Sequence, residues 1–321
     1  MHIGLVTPAA PRSRAGNRAT ATRWAALLRG LGHRVSVLER WRAGDAGFDL
    51  LLALHAWRSA ESIEAFAQHY PDRALVLALT GTDIYRFQHT HPEVTAASIE
   101  RADALIGLHD QVSQAIPERF HSILHTVHQS ALPLPPSYRG RPKRRFNICV
   151  VGHLRAEKDS LLSARAARQL PATSRIVVTQ VGKAHDADWA ESARGEAGTN
   201  RRYQWLGEVS QAATRALYAR SHIMVISSVM EGGANVVSEA CVAHLPVLAS
   251  DIPGNTGLLG LDYPGLFPVG DAKALAQLMT RAETDVDFYQ RLHNHCRALA
   301  PQFTPAQEQA ALQRVIHAVS A

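Results

Sequence analysis

Apolar runs of five to seven residues recur along the chain, each separated from the next by a longer stretch in which apolar positions return every three or four residues. The runs fall at 3–7, 34–39, 49–54, 74–79 and 104–108, and again at 146–151, 175–181, 222–227 and 246–250. Strand-like runs alternating with helical patterns predict an α/β chain of parallel sheets with crossover helices. The stretch 18–31 reads as one such helix, stopped by Gly32. Pro133, Pro135, Pro136 and Pro142 break the periodicity and mark a linker. The chain is therefore expected to divide into a first domain over 1–130, a linker over 131–145 and a second domain over 146–300. A closing segment, 301–321, contains one more amphipathic helix at about 305–319.

At 321 residues and 46% hydrophobic content, the chain can bury two cores of ordinary size. No apolar run reaches membrane-spanning length, and the first strand begins without a charged leader, so a cytoplasmic protein without membrane insertion is expected. Cys149, Cys241 and Cys296 are odd in number and lack C-x-x-C spacing, which predicts reduced structural thiols. The net charge of +6 favours anionic ligands in general. Its densest basic run, 139–145, has no interleaved aromatics, so it reads as solvated linker and not as a nucleic-acid surface.

Candidate chemistry concentrates at 230–240, Met-Glu-Gly-Gly-Ala-Asn-Val-Val-Ser-Glu-Ala, directly after the run 222–227. A strand that ends in a Gly-rich turn and opens a helix offers free backbone N–H groups to a phosphate. Glu231 would precede that helix and Glu239 lie two turns inside it, roughly 12 Å along the axis and about the length of a nucleotide-diphosphate sugar. One carboxylate could then hold a sugar and the other a ribose, with the diphosphate between them. Without its neighbours, the spacing would be better read as a capping Glu231 and a solvated Glu239.

Gly16, Asn17 and Arg18 open a helix after the first strand, where a helix start with a guanidinium suits a small anion; Asn17 as an ordinary cap explains the same residues. Thr80, Gly81, Thr82 and Asp83 end another strand, with Asp83 placed to orient a sugar hydroxyl or Arg18, or to cap the next turn. His55 follows the run 50–54, although in a chain with 17 histidines any one is more readily structural. The Asp-x-Asp pairs at 186–188 and 285–287 read as helix caps, not metal ligands. His293, His295 and Cys296 have metal-ligand chemistry at poor spacing, with no second cluster to complete a site.

Together these segments resemble the GT-B glycosyltransferases, in particular the large retaining family with Glu-x7-Glu. Residues 150–158, Val-Val-Gly-His-Leu-Arg-Ala-Glu-Lys, are similar to its strand-Gly-Arg-Leu-x-x-x-Lys element, 245–251 to its next strand and 265–271 to its closing turn. The combination of 7–11, 16–18, 79–83 and 231–239 is similar, more narrowly, to the selenosugar synthases of the selenoneine pathway. The resemblance covers essentially the whole chain. It implies two Rossmann-like domains whose parallel sheets face a central cleft, with the closing helix crossing back onto the first domain.

On the donor side it implies Gly152, Lys158, Leu206 within the base-cradling turn 205–207, Glu231, Gly232, Gly233, Ala234, Asn235, Val236 and Glu239. Lys158 would offset charge growing on the leaving diphosphate, from a helix start where a lysine otherwise opposes the dipole. The family's arginine is replaced by His153; Arg155 stands in for it or faces the acceptor. Lys158, Glu231, Arg155 and His153 thus form the implied catalytic set, and Gly16, Asn17, Arg18, His55, Thr80, Gly81, Thr82 and Asp83 the acceptor side. The implied reaction joins N-acetylglucosamine, from a UDP-sugar, to selenophosphate without a required metal or other cofactor. The competing readings are an oxygen-linked glycosyltransferase with a glycan or lipid acceptor, and a nucleotide-sugar sensor without turnover.

Overall fold

The computed structural model describes residues 1–11, 13, 16–136, 140–142 and 144–320. These residues group into two compact units: Met1–Ser130 with Glu231–Asn235 and Pro305–Ala321, and Ala131–Met230 with Val236–Thr304.

The first unit holds six parallel strands: β1 (His2–Val6), β2 (Arg34–Leu38), β3 (Leu50–Leu54), β4 (Ala74–Leu79), β5 (Ala104–Gly107) and β6 (Leu124–Thr126). Their spatial order is β2-β1-β3-β4-β5-β6, which reverses direction between β1 and β3. Strand alternation sends Ile3, Leu5, Leu50, Leu52 and Val76 to one face, where they pack with Trp24 and Leu28 of the helix Gly16–Gly30 and Leu312 and Ile316 of the helix Pro305–Ala318. Leu51, Ala53, Leu75 and Leu77 go to the other face with Trp41 and Phe66. With both faces covered, these strands read as continuous apolar runs.

One charge enters that core. Glu308 is 1% exposed and accepts from Arg23 Nε at 2.8 Å, Trp24 Nε1 at 2.7 Å, Ser130 N at 3.0 Å and the Ser130 hydroxyl. A buried carboxylate is tolerated when it is paired and hydrogen-bonded to this extent. It ties the helix Pro305–Ala318 to the helix Gly16–Gly30 and to the end of the segment Met1–Ser130.

The second unit repeats the architecture with β7 (Phe146–Val151), β8 (Ile176–Val181), β9 (Tyr203–Trp205), β10 (Ile223–Ile226), β11 (Val247–Ser250) and β12 (Leu266–Phe267), all parallel in the order β12-β11-β10-β7-β8-β9. This is the doubly wound order, with its switch point between β7 and β10. Asp186 and Asp285 cap the helices Ala187–Thr199 and Val286–Leu299, accepting from Trp189 N at 3.0 Å and Phe288 N at 2.9 Å. His295 reaches the Leu259 carbonyl, and the three cysteines are buried and free, Cys296 lying 3.4 Å from the Tyr263 hydroxyl.

The helix predicted at 18–31 is shifted to Gly16–Gly30, so Asn17 lies inside its first turn and is not its cap; residue 15 is outside the described residues. The closing helix predicted at 305–319 is Pro305–Ala318. Strands β6, β9 and β12 were not predicted: each is an edge strand of two or three residues, too short for a periodicity. In the linker, Arg215 donates to the carbonyls of Leu132 and Pro133, while Arg139 and Lys143 of the basic run lie outside the described residues. Among the described residues no helix is long and apolar enough to cross a membrane.

Candidate active site

Ligands of doubly wound sheets bind beyond the carboxyl ends of the strands, at the switch point. In the second unit the loops leaving β7 and β10 are tied together there. Ser227 Oγ donates to the carbonyls of Lys158 (3.0 Å) and Asp159 (3.1 Å), and Val229 N to the Glu157 carbonyl (2.9 Å). Lys158 was expected at a helix start. It instead ends a single 3-10 turn, Ala156–Lys158, and the following helix begins only at Leu162. Asp159 at φ 37° is the reason, since a left-handed residue ends the turn; Arg165 holds its carboxylate at 2.7 Å. The helix-dipole argument about Lys158 therefore does not apply.

Two flanking strands complete this edge. The Lys183 backbone N–H donates to His153 Nδ1 at 3.2 Å, and a Cβ on Gly182 would run into the Gly152 carbonyl, so β8 can follow β7 this closely only with glycine there. Arg155 Nε is buried without a hydrogen-bond partner among the described residues, with the Glu157 carboxylate 4.0 Å away. Leu206 is 54% exposed, beyond Trp205, whose Nε1 donates to the Gly182 carbonyl at 2.9 Å. The helix Asn235–Val242 starts at Asn235, which puts Glu239 little more than one turn inside it, not two. Its carboxylate is not simply solvated: Tyr218 Oη donates to Oε2 at 2.6 Å. Ser238 Oγ is buried on the same helix with no partner among the described residues.

The turn Glu231–Asn235 groups with the first unit. A Cβ on Gly232 would strike the Thr80 carbonyl group, and one on Gly233, at φ +134°, would strike Leu108. The glycine pair is thus required by close packing against the ends of β4 and β5, whatever its N–H groups also do.

On the first unit, β3, β4 and β5 are neighbours, and their ends bring His55, the turn 80–83 and His109 to one edge. Asp83 is fully buried and accepts from the N–H groups of Ala56, Thr80, Gly81 and Ile84 at 2.7–3.1 Å. Of its expected roles, capping the turn is the one realised; a direct sugar contact is precluded because no part of the side chain reaches the surface. His55, at φ 77°, accepts from Arg58 N through Nδ1 (3.2 Å) and faces Thr82 Oγ1 through Nε2 (2.9 Å). A non-glycine residue held in the left-handed region is a strain that concentrates at functional sites. His109 repeats the pattern: Nδ1 accepts from Gln111 N at 3.2 Å, and Nε2 lies 3.0 Å from Tyr85 Oη. Burial depresses both imidazoles, His109 to about 4. Gly16 is exposed and Asn17 and Arg18 half-buried, on the helix that follows β1.

Tyr218, Tyr85 and His109 were not among the expected site residues. Each meets its partner only through the tertiary fold, and the one local signal was a tyrosine three positions after Thr82.

Residues 138–298, half of the chain, match the family described as Glycosyl transferases group 1. The chain is 30% identical over 92 residues to glycosyltransferase 1 domain-containing protein 1 of Xenopus tropicalis, a match spanning 29% of this chain and 26% of that protein. Among solved structures it is similar to Anabaena HepE in complex with UDP and glucose (TM-score 0.77, 17% identity, 99% of each chain). It is likewise similar to sucrose-phosphate synthase of Thermosynechococcus elongatus (TM-score 0.77, 16% identity, 98% of each chain). Two parallel six-stranded α/β domains with these structural counterparts form a GT-B fold, and the chain belongs to the group 1 glycosyltransferase family.

Proposed function

We propose that the protein transfers N-acetylglucosamine or a related hexose from a UDP-sugar to selenophosphate. The structurally similar HepE has been seen with UDP and with UDP-glucose, which supports a UDP-sugar donor here. In this reading Glu239 holds the ribose, backbone N–H groups at Asn235 and Val236 take the diphosphate, Lys158 offsets the charge of the departing UDP and Glu231 holds the hexose. The selenium of selenophosphate attacks C1 as the C1–O bond to UDP breaks. Water then cleaves the P–Se bond, releasing phosphate and the 1-seleno sugar.

One observation carries the acceptor assignment. The Nδ1 atoms of His55 and His109 already accept backbone N–H groups, and Asp83 is saturated by four more. None of the three can take a proton from a neutral acceptor hydroxyl without breaking such a contact, so this trio presents donors and no free base. It suits a nucleophile that arrives already anionic, and selenium is soft enough to need no base.

The test is UDP release from UDP-N-acetylglucosamine and UDP-glucose, with and without selenophosphate, in buffer containing EDTA. Release that requires selenophosphate and tolerates EDTA is expected. Release with a glycan or lipid acceptor alone would replace this reading with the oxygen-linked one, and UDP-sugar binding without release would replace it with the sensor.

A further inference from the structure

We propose that Tyr85 is a contact residue for the acceptor's tetrahedral oxyanion, and that His109 is the positioning residue that turns its hydroxyl proton toward that ligand. The proposal rests on the acceptor reading above for the identity of the anion, but not for the existence of the subsite.

The argument begins with proton positions. A neutral imidazole carries one N–H, and a ring nitrogen that accepts a hydrogen bond cannot be the one that carries it. Gln111 N donates to His109 Nδ1, so the proton is on Nε2 and is donated to Tyr85 Oη at 3.0 Å. The phenol oxygen is therefore the acceptor in that bond, and its own proton must point elsewhere. Burial and the Asp83 charge hold the phenol protonated, well above the usual range. Among the described residues Tyr85 Oη has no other hydrogen-bond partner, and the side chain is only half-buried. The result is an O–H donor aimed away from its sole protein partner.

The same construction occurs one strand away. Arg58 N fixes the His55 tautomer, and Nε2–H is donated to Thr82 Oγ1, which likewise turns the threonine proton outward. Thr82 is the N-cap of the π-helical turn Asp83–Phe87 and Tyr85 its third residue, so one wide turn displays both hydroxyls. Such turns are rare and gather at functional sites. Asp83 locks the turn from below, and the glycine turn that follows Glu231 packs on Thr80, Gly81 and Leu108, within a residue of both pairs in sequence. Two oriented donors on one turn match the terminal oxygens of a phosphate-type anion. A sugar acceptor, whose attacking hydroxyl must give up its proton, would find a donor but no base in either group.

The test is calorimetric titration of inorganic phosphate into UDP-saturated protein, so that the donor's diphosphate site is filled. Wild type should bind phosphate. Tyr85→Phe, which keeps the ring, and His109→Leu should each weaken that binding about tenfold or more, the loss expected for one charge-assisted hydrogen bond. His109→Gln should recover most of it, because its amide N–H can replace Nε2–H, and UDP affinity should be unchanged in all three. Absence of phosphate binding by wild type overturns the proposal, as does wild-type affinity in Tyr85→Phe or failure of His109→Gln to exceed His109→Leu. Phosphate binding by wild type without selenophosphate-dependent UDP release would instead leave the subsite standing and remove the selenium chemistry.

Discussion

The Tyr218 hydroxyl donates to Glu239 Oε2 at 2.6 Å, joining the helix Gln211–Arg220 to the helix Asn235–Val242. The phenol is fully buried, and burial together with the Glu239 charge raises its pKa far above neutrality, so it remains a donor throughout the working range. Tyr218 therefore holds the carboxylate in one rotamer. Tyr218→Phe should raise KM for the UDP-sugar about tenfold with little change in kcat, and Glu239→Ala about ten- to hundredfold. Because Tyr218 acts through Glu239, its loss should add nothing to KM in a Glu239→Ala background. Steady-state kinetics of the two single variants and the double variant check this.

Lys158→Ala should act on the other parameter. Charge on the diphosphate grows as the bond to C1 breaks, and only an interaction that strengthens in the transition state raises kcat. A rise of about 2–4 kcal/mol in the barrier is expected, read as a fall in kcat. Should kcat persist while KM alone rises, Lys158 binds the ground state and the leaving-group role is wrong.

Gly232→Ala places a methyl group against the Thr80 carbonyl, so the turn Glu231–Asn235 must move. Overpacking at one site costs about 1–3 kcal/mol, whereas displacement of a positioning loop by an ångström can cost about a hundredfold in rate. Activity should thus fall far more than thermal stability does. Parallel measurement of kcat/KM and melting temperature decides, and equal retention of both would show that the packing is not needed.

His109 makes stability depend on pH. Its folded pKa is near 4, below the ordinary value of 6.5, so between those values the unfolded chain binds the extra proton. Stability is then fully present above about pH 6.5, falls as the pH drops toward 4 and levels below it, a difference of up to about 3 kcal/mol from this group. Buried His55 contributes with the same sign. Urea denaturation at stepped pH should show a shallower fall for His109→Gln than for wild type.

The central strands were legible because each is a mostly apolar run, β4 and β7 with the very bounds predicted. The edge strands β6, β9 and β12 were not, being too short for any pattern. Glu231 and Glu239 were proposed from spacing after a strand and Lys158 from the family resemblance, but spacing treats the path as regular. It missed the left-handed Asp159, which delays one helix, and the turn ahead of Asn235, which shortens the helical path to Glu239. Asp83 was read as a ligand group or a cap because composition does not reveal burial. Tyr218 with Glu239 and Tyr85 with His109 lie 21 and 24 residues apart, and no local pattern joins residues at that distance.

The buried Glu308 has a consequence for biogenesis. Its partners Arg23, Trp24 and Ser130 leave the ribosome early, yet the carboxylate that satisfies them is translated 178 residues after Ser130. At about 5–20 residues per second that is a wait of roughly 9–36 s, during which the nascent first sheet exposes the face that the last helix will cover. The second unit, whose segments Ala131–Met230 and Val236–Thr304 both precede that helix, can finish folding sooner. The unit whose segments bracket the other is completed after it, and for that interval it is the part that a chaperone or a protease would meet.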